Sequence, residues 1–312
     1  MFNKFFYIIK FKKLHFMQTF IKTVFSLSLF LLTHNFLFSQ VTVPISEKEM
    51  EQYNRERQAI MAMKIDLSQT WLYMVKNNVI SSNKILLSEV FYSKQGLPEL
   101  VVQYDENQKI TSSTRVKYNS KNLPFEEIKF AADSSLIGGI LFEYDKNGLL
   151  NKQVHYNESG VITAIQQYLR KQDTIFMSVF NNSAEFIYGN ALIFENKNGQ
   201  SLLKSMYKID SSHNIIEKNL FDYDVIYALR SKIVYDDKDL GTQKNFVYND
   251  DGALVRTIIT NSAGIHISDT SFEYDEYGNL IRIVEYEEET GTAKLFFINY
   301  LSLVKGKNGN KN

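Results

Sequence analysis

Three histidines follow residue 40, at His155, His213 and His266, and they are the first side chains to question for metal or proton-transfer chemistry. No two of them share a helical turn or a hairpin, so no metal cage is legible. A lone histidine on a strand reads as a surface residue. The carboxylates are more numerous, with clusters at Asp236-Asp237-Lys238-Asp239, Asn249-Asp250-Asp251 and Glu287-Glu288-Glu289. Such clusters can bind calcium or supply the carboxylate pair of a glycosidase. Each one sits where a turn is due, and solvated turn residues account for it more simply. No G-x-S-x-G, no Gly-rich phosphate loop and no H-E-x-x-H occurs, and Trp71 in "TWLYMV" reads as core. No catalytic residue, metal ligand or cofactor-binding residue is therefore assigned, and no cofactor is expected.

The ends of the chain bear on where such chemistry would take place. In residues 1–40 the only charged side chains are Lys4, Lys10, Lys12, Lys13 and Lys22, and an apolar run from Thr23 to Phe38 precedes Ser39-Gln40. This reads as a secretory signal peptide, with Met17 as the expected start. The run is shorter than the roughly 20 residues a membrane-spanning helix needs. Its removal takes five lysines from a balance of 35 basic and 35 acidic side chains, leaving 30 against 35, or −5. A mildly acidic surface argues against nucleic acid as partner, and no membrane span is expected after cleavage. There is no cysteine, so an exported chain of this kind has no disulfide framework and relies on burial and strand pairing.

A repeat supplies the elements. Tyr92, Tyr118 and Tyr144, then Tyr248, Tyr274 and Tyr300, fall on one 26-residue frame. The intervening steps land on Arg170, Asn196 and Asp222, so the frame persists through a degenerate middle between Tyr168 and Tyr223. A second member follows about twelve residues later in each period, at Tyr104, Phe130, Tyr156, Tyr235 and Tyr286. A unit of about 13 residues is one strand plus one tight turn. Asp145-Lys146-Asn147-Gly148 shows the turn chemistry: an opening Asx whose side chain accepts backbone N–H groups, and a closing residue that tolerates positive φ. Asn157–Gly160, Asn249–Gly252 and Asp275–Gly278 repeat it, and Asn122 replaces the glycine in Asn119–Asn122.

Between turns the alternation has period two. Ile140, Phe142 and Tyr144 are expected on one face, continued after the turn by Leu150, Val154 and Tyr156, with Glu143, Asn151, Gln153 and His155 opposite. The expected fold is all-β: an extended antiparallel meander or coiled sheet of about sixteen strands, preceded by one N-terminal helix. Ser46 with Glu49 forms a capping box, and Ile45 with Met50 a hydrophobic staple, for a helix over about Glu47 to Met63 that covers the first strands' edge. The resulting organisation is a signal peptide over 1–40, a helical cap over 41–86, a hairpin-repeat domain over 87–304 and a disordered tail over 305–312.

The Tyr-Asp-x-x-Gly phrase with F-x-Y before it, over roughly Phe91 to Gly291, resembles the YD repeats of bacterial RHS-type surface and toxin-delivery proteins. The resemblance implies a β-hairpin array at the cell surface contacting carbohydrate or protein, and no catalytic residues. RHS shells use many more repeats, so encapsulation of a toxin is not expected. The leading expectation is a non-enzymatic exported binding or scaffold module for a glycan or protein at the cell envelope, whether secreted, periplasmic or surface-held. A carboxylate-dependent hydrolase and an immunity or antitoxin-like partner are the alternatives. Polar side chains converging in the degenerate units 168–223 would favour catalysis, and plain drift there would favour binding.

Overall fold

The computed structural model describes residues 43–302, apart from 77–78, 225–228, 237–240, 250–252, 276–279 and 291. The segments read as a signal peptide, 1–40, and as a disordered tail, 305–312, lie outside the described residues. Among the described residues one helix, α1 (Glu47–Met63), is followed by eighteen strands. They are β1 (Leu67–Lys76), β2 (Val79–Tyr92), β3 (Pro98–Tyr104), β4 (Ile110–Tyr118), β5 (Pro124–Ala131), β6 (Leu136–Tyr144), β7 (Leu150–Asn157), β8 (Ile162–Lys171) and β9 (Thr174–Asn181). Then come β10 (Phe186–Lys197), β11 (Gln200–Ile209), β12 (Ile215–Tyr223), β13 (Leu229–Asp236), β14 (Thr242–Tyr248), β15 (Leu254–Asn261), β16 (His266–Tyr274), β17 (Leu280–Glu287) and β18 (Thr292–Leu301).

Every strand pairs antiparallel with its chain neighbours, and β1 pairs with both β2 and β18. The sheet is therefore a closed barrel of eighteen strands and not the open meander the repeat predicts. The reason lies in residues 67–92. They were expected to belong largely to a helical cap, yet they form β1 and β2; β2 ends on the frame's Tyr92, while β1 carries no repeat phrase and is the strand that closes the ring. Closure removes both sheet edges, so α1 has no edge to cover. It packs instead against turns at one end: Tyr53, Leu97 and Leu123 form a buried cluster with Met50, Tyr118 and Tyr144 around it.

The helix bounds agree with the sequence, and its start is more specific than a simple box. The Ser46 hydroxyl accepts from the Glu49 N–H at 3.3 Å, while the Glu49 carboxylate accepts from the Ser46 N–H and also from the Ile45 N–H, the latter at 2.6 Å. Of the expected staple residues, Ile45 packs with the barrel cluster around Leu150 and Met50 with the cluster at the helix, and Tyr144 touches both clusters. Arg170 holds the Ile45 carbonyl at 2.8 Å, which ties this segment to the barrel's inner wall.

The turns follow the sequence reading. Asp145 accepts from the N–H groups of Asn147 and Leu149, both at 2.9 Å, and Gly148 takes φ +85°. The same position has positive φ in other turns whatever residue fills it: Gln108, Asn122, Ser134, Ala184 and His213 all lie there. The Asx side chain and the i→i+4 bonds over-determine this conformation, so the chain tolerates a non-glycine at some cost.

Alternation fails at one place the sequence does not mark. The register slips between Glu143 and Tyr144, leaving Asn151 as an extra residue. Gln153 then stands opposite Phe142 and His155 opposite Ile140, so both join the Phe142 face, while Val154 and Tyr156 oppose Leu141 and Gly139 on the other. The Phe142 face is the inner wall, because Val43 and Ile45 of the N-terminal segment pack on it.

Two apolar clusters line that wall. One contains Phe142, Leu150, Tyr168, Ile175, Leu192 and Leu203; the other contains Leu229, Phe246, Leu254, Phe272, Ile283 and Phe296. Phe221 touches both. The repeating tyrosine joins neighbouring hairpins at the helix end. The hydroxyls of Tyr118, Tyr223 and Tyr274 donate to the carbonyls of Pro98, Leu203 and Leu254, each twenty residues earlier, at 2.6, 2.9 and 2.8 Å. Tyr144 does the same to Pro124. Arg170, standing in the tyrosine's place in the frame, donates to the Leu150 carbonyl, also twenty residues earlier. At that end no turn links one hairpin to the next, and these bonds do so instead.

Candidate functional site

The inner wall changes character away from the helix. Cross-strand register carries the Phe142 face round the ring and places Tyr188, Asn190, Met206, Lys208, Glu217, Asn219, Lys232, Lys244, Thr257, Glu285 and Lys294 on it. Beside β10, β11 and β12 this wall borders an open cavity of about 650 Å³, lined by Tyr188, Asn190, Met206, Lys208, Asp210 and Glu217 among others. These strands come from the degenerate units between Tyr168 and Tyr223, where the frame has lost its tyrosines.

Hydrogen bonds fix part of the lining. The Glu217 carboxylate accepts from the Asn219 amide at 2.7 Å and stands opposite Lys208 in register. Asp210 opens the turn at the cavity's rim and accepts from the Ser212 and Asn214 N–H groups, which hold its carboxyl below the ordinary range. His213 in that turn stacks on Phe186, with ring centroids 5.0 Å apart. The wall thus offers an aromatic ring, an amide, a lysine and two carboxylates at one opening. Sequence reasoning anticipated that these units differ, but not which side chains face inward, since each register slip inverts the alternation.

The residues singled out for chemistry are dispersed. His155 lies on the inner wall opposite Ile140, and its burial lowers its pKa. His213 is on the rim. His266 opens β16 with Asp269 at 3.5 Å and Glu288 at 3.3 Å. Of the first acid cluster, Asp236 ends β13 opposite Glu217 in register, and 237–239 lie outside the described residues, as do Asp250 and Asp251. Glu287 accepts from the Thr290 hydroxyl at 3.0 Å. Among the described residues, no group of three or more His, Asp or Glu side chains is arranged to hold a metal ion. Trp71 belongs to β1, with the Lys84 ammonium 4.1 Å from its ring centroid.

Two carboxylates, one on β5 and one on α1, are held above the ordinary range. Glu127, opposite Val116 and Ile140, is pushed up to about 7 by burial. Glu49 is pushed up to about 7 too, because loss of water outweighs its bonds from Ile45 and Ser46 and the nearby Arg170 charge.

No protein-family model and no curated protein matches this chain. Among solved structures, a porin-like protein from Bacteroides uniformis is similar at 10% identity and a TM-score of 0.38, over 76% of this chain and 98% of that one. A porin-like protein from Bacteroides vulgatus gives 12% and 0.31, over 75% and 98%. A TcdB2-TccC3-Cdc42 complex gives 8% and 0.28, over 72% of this chain and 14% of that one. At scores this low the traces diverge, and the likeness says nothing about activity. Among the described residues no helix is long and apolar enough to cross a membrane, which leaves strand-built crossing untouched.

Proposed function

We propose that this protein is a non-enzymatic, exported binding module of the cell envelope, and that its ligand is a glycan or other small polar molecule held at the barrel's inner wall. The observation that carries this reading is the cavity of about 650 Å³ between β10 and β12. It sits where the repeat has drifted furthest from what hairpin stacking alone requires. Polar groups converge there, as expected of a catalytic site, but the Asp210 carboxylate is engaged by the Ser212 and Asn214 N–H groups and the Glu217 carboxylate by the Asn219 amide. The exposed tyrosine, amide and lysine beside them suit recognition of a polar ligand. The outer wall supports a water-facing barrel: Lys117–Glu126, Lys152–Glu143 and Arg256–Asp269 are ion pairs across neighbouring strands. Exposed apolar residues such as Leu169 and Phe176 are scattered among them, and lipid-facing charges at these positions would be costly. Kinship of the hairpin unit with YD repeats of RHS-type proteins is part of the proposal, as is removal of residues 1–40 on export.

Native mass spectrometry of the protein purified from an exporting cell tests the reading. The expected result is a co-purifying small molecule that Met206→Trp, which fills the cavity, fails to retain. Equal retention by both proteins, or no bound species in either, would count against it. N-terminal sequencing of the same sample should begin near Gln40 or Val41.

A further inference from the structure

The barrel rim opposite α1 carries a run of apolar cross-strand pairs on its outer wall. Ile110 stands opposite Tyr104, Leu136 opposite Phe130 and Ile162 opposite Tyr156 in register. Phe186 opposite Phe180 and Ile215 opposite Ile209 continue the run, so five consecutive hairpins from β3 to β12 each contribute one pair. The tyrosine hydroxyls fix the side of the wall: they donate to Glu89 at 2.6 Å and to Glu126 at 3.1 Å, and Glu126 pairs with Lys117 across the outer strands. The aliphatic members are open to water, with Ile110 exposed to 46%, Ile162 to 42% and Ile215 to 58%.

At the helix end the residue opposite the repeat aromatic is covered. There Pro124, Leu150 and Leu254 stand opposite Tyr118, Tyr144 and Tyr248 and are fully buried. Leu97 and Leu123, which close turns at that end, are buried against Tyr53 of α1. Among the described residues, ten of the nineteen exposed large apolar side chains lie within one residue of the start of an even-numbered strand, which is the far rim. Only Phe125 lies so near the start of an odd-numbered strand. Exposed apolar side chains are ordinary when scattered, whereas a row confined to one rim marks a contact surface.

The turns above the row set the charge of what can lie on it. Residues 105–109, 132–135, 158–161, 182–185 and 210–214 hold six carboxylates, Asp105, Glu106, Asp133, Glu158, Glu185 and Asp210, against one lysine, Lys109. Insertion of the rim into a bilayer would carry these carboxylates in ahead of the apolar row, at high cost. Two such rims end to end would set like charges against each other. Closure of the barrel leaves no sheet edge to take a partner strand. We propose that this rim is a docking surface for a cationic amphipathic helix of another protein, its apolar face on the aliphatic and aromatic row and its basic side chains at the acidic turns. The helix α1 lies over turns at the opposite end in a comparable way, through Tyr53 and Met50. The carboxylates orient the incoming helix, and burial of the row supplies the affinity.

The test is fluorescence anisotropy of a labelled model peptide of leucine and lysine with one apolar and one cationic face, titrated with the purified exported protein. It should bind at least tenfold more tightly than a scrambled peptide of the same composition, which keeps the charge without the face. It should also bind at least tenfold more tightly than a leucine–glutamate peptide, which keeps the face without the charge. The double variant Ile110→Ser/Ile162→Ser should weaken binding at least tenfold, and Glu106→Gln/Glu158→Gln severalfold at low salt. Leu169→Ser, at an exposed apolar position outside the row, should leave it unchanged. These side chains are at the surface, so the variants should fold, and Ile110 and Ile162 do not line the cavity, so their replacement reports on the rim alone. No binding, equal binding of either control peptide, or an unchanged affinity in Ile110→Ser/Ile162→Ser overturns the proposal. Flotation with phosphatidylcholine vesicles, or dimerisation in sedimentation, that Ile110→Ser/Ile162→Ser abolishes would overturn it too, by giving the rim to a membrane or to a second copy.

Discussion

Replacing Tyr118 by phenylalanine removes one oxygen from the inner wall, and with it the bond that joins β4 to the start of β3 where no turn connects them. The hydroxyl donates to the Pro98 carbonyl at 2.6 Å, and burial, with Tyr53, Glu127 and Tyr144 nearby, holds its pKa far above the ordinary tyrosine range. It therefore stays a donor at every pH at which the protein is studied. A neutral hydrogen bond contributes about 0.5–1.5 kcal/mol net, and a carbonyl left without a partner adds to the loss, so Tyr118→Phe should cost about 1–2 kcal/mol. In a domain of this size that corresponds to a fall of about 2–8 °C in the melting midpoint. Tyr223→Phe and Tyr274→Phe make the same change at distant places and should cost about as much each, with nearly additive effects. Tyr104→Phe is the comparison: its hydroxyl binds the Glu89 carboxylate at 2.6 Å at the opposite end of the strands, and it forms no link to a strand-opening carbonyl. Urea denaturation with all four variants decides the matter. If the three period tyrosines cost no more than a few tenths of a kcal/mol while Tyr104→Phe costs as much or more, the tyrosine does not join hairpins and its recurrence has another cause.

Gly148→Val meets both positive φ and contacts at 3.3 Å with Leu123 and Met50, whereas a Cβ at Gly160 meets nothing within 4 Å; calorimetry should show a loss of about 1 kcal/mol for Gly160→Ala and a clearly larger one for Gly148→Val. Ala184 already occupies the left-handed region at φ 61°, so Ala184→Gly should stabilise by up to about 1 kcal/mol. Glu49 and Glu127, with folded-state values of about 7 against an ordinary 4.5, favour the protonated folded state. Their contribution is complete below about pH 4.5 and is lost as the pH rises through about 7. The melting midpoint of Glu127→Gln should accordingly vary less between pH 5 and pH 8 than that of the wild type.

Local chemistry was legible because it is local. The Asx side chain at Asp145 or Asn157 bonds backbone within four residues, Ser46 and Glu49 act within one helical turn, and so the turns, the helix bounds and the all-β class followed from the sequence. The tyrosine frame was visible as a period, and its physical cause, a hydroxyl reaching twenty residues back, required the strand pairing. Closure was not legible, since β1 carries no repeat phrase and pairs with β18 across more than two hundred residues of chain. Parity was not legible either: each register slip after a turn exchanges the two faces, which is why Gln153 and His155 turn inward against the simple alternation. The row of Asn219, Lys232, Lys244 and Thr257 depends on both facts. Taken singly, these are four ordinary strand residues, and only the register of four adjacent strands within a closed wall sets two lysines opposite one another, one buried and one half-buried, near an unbonded hydroxyl.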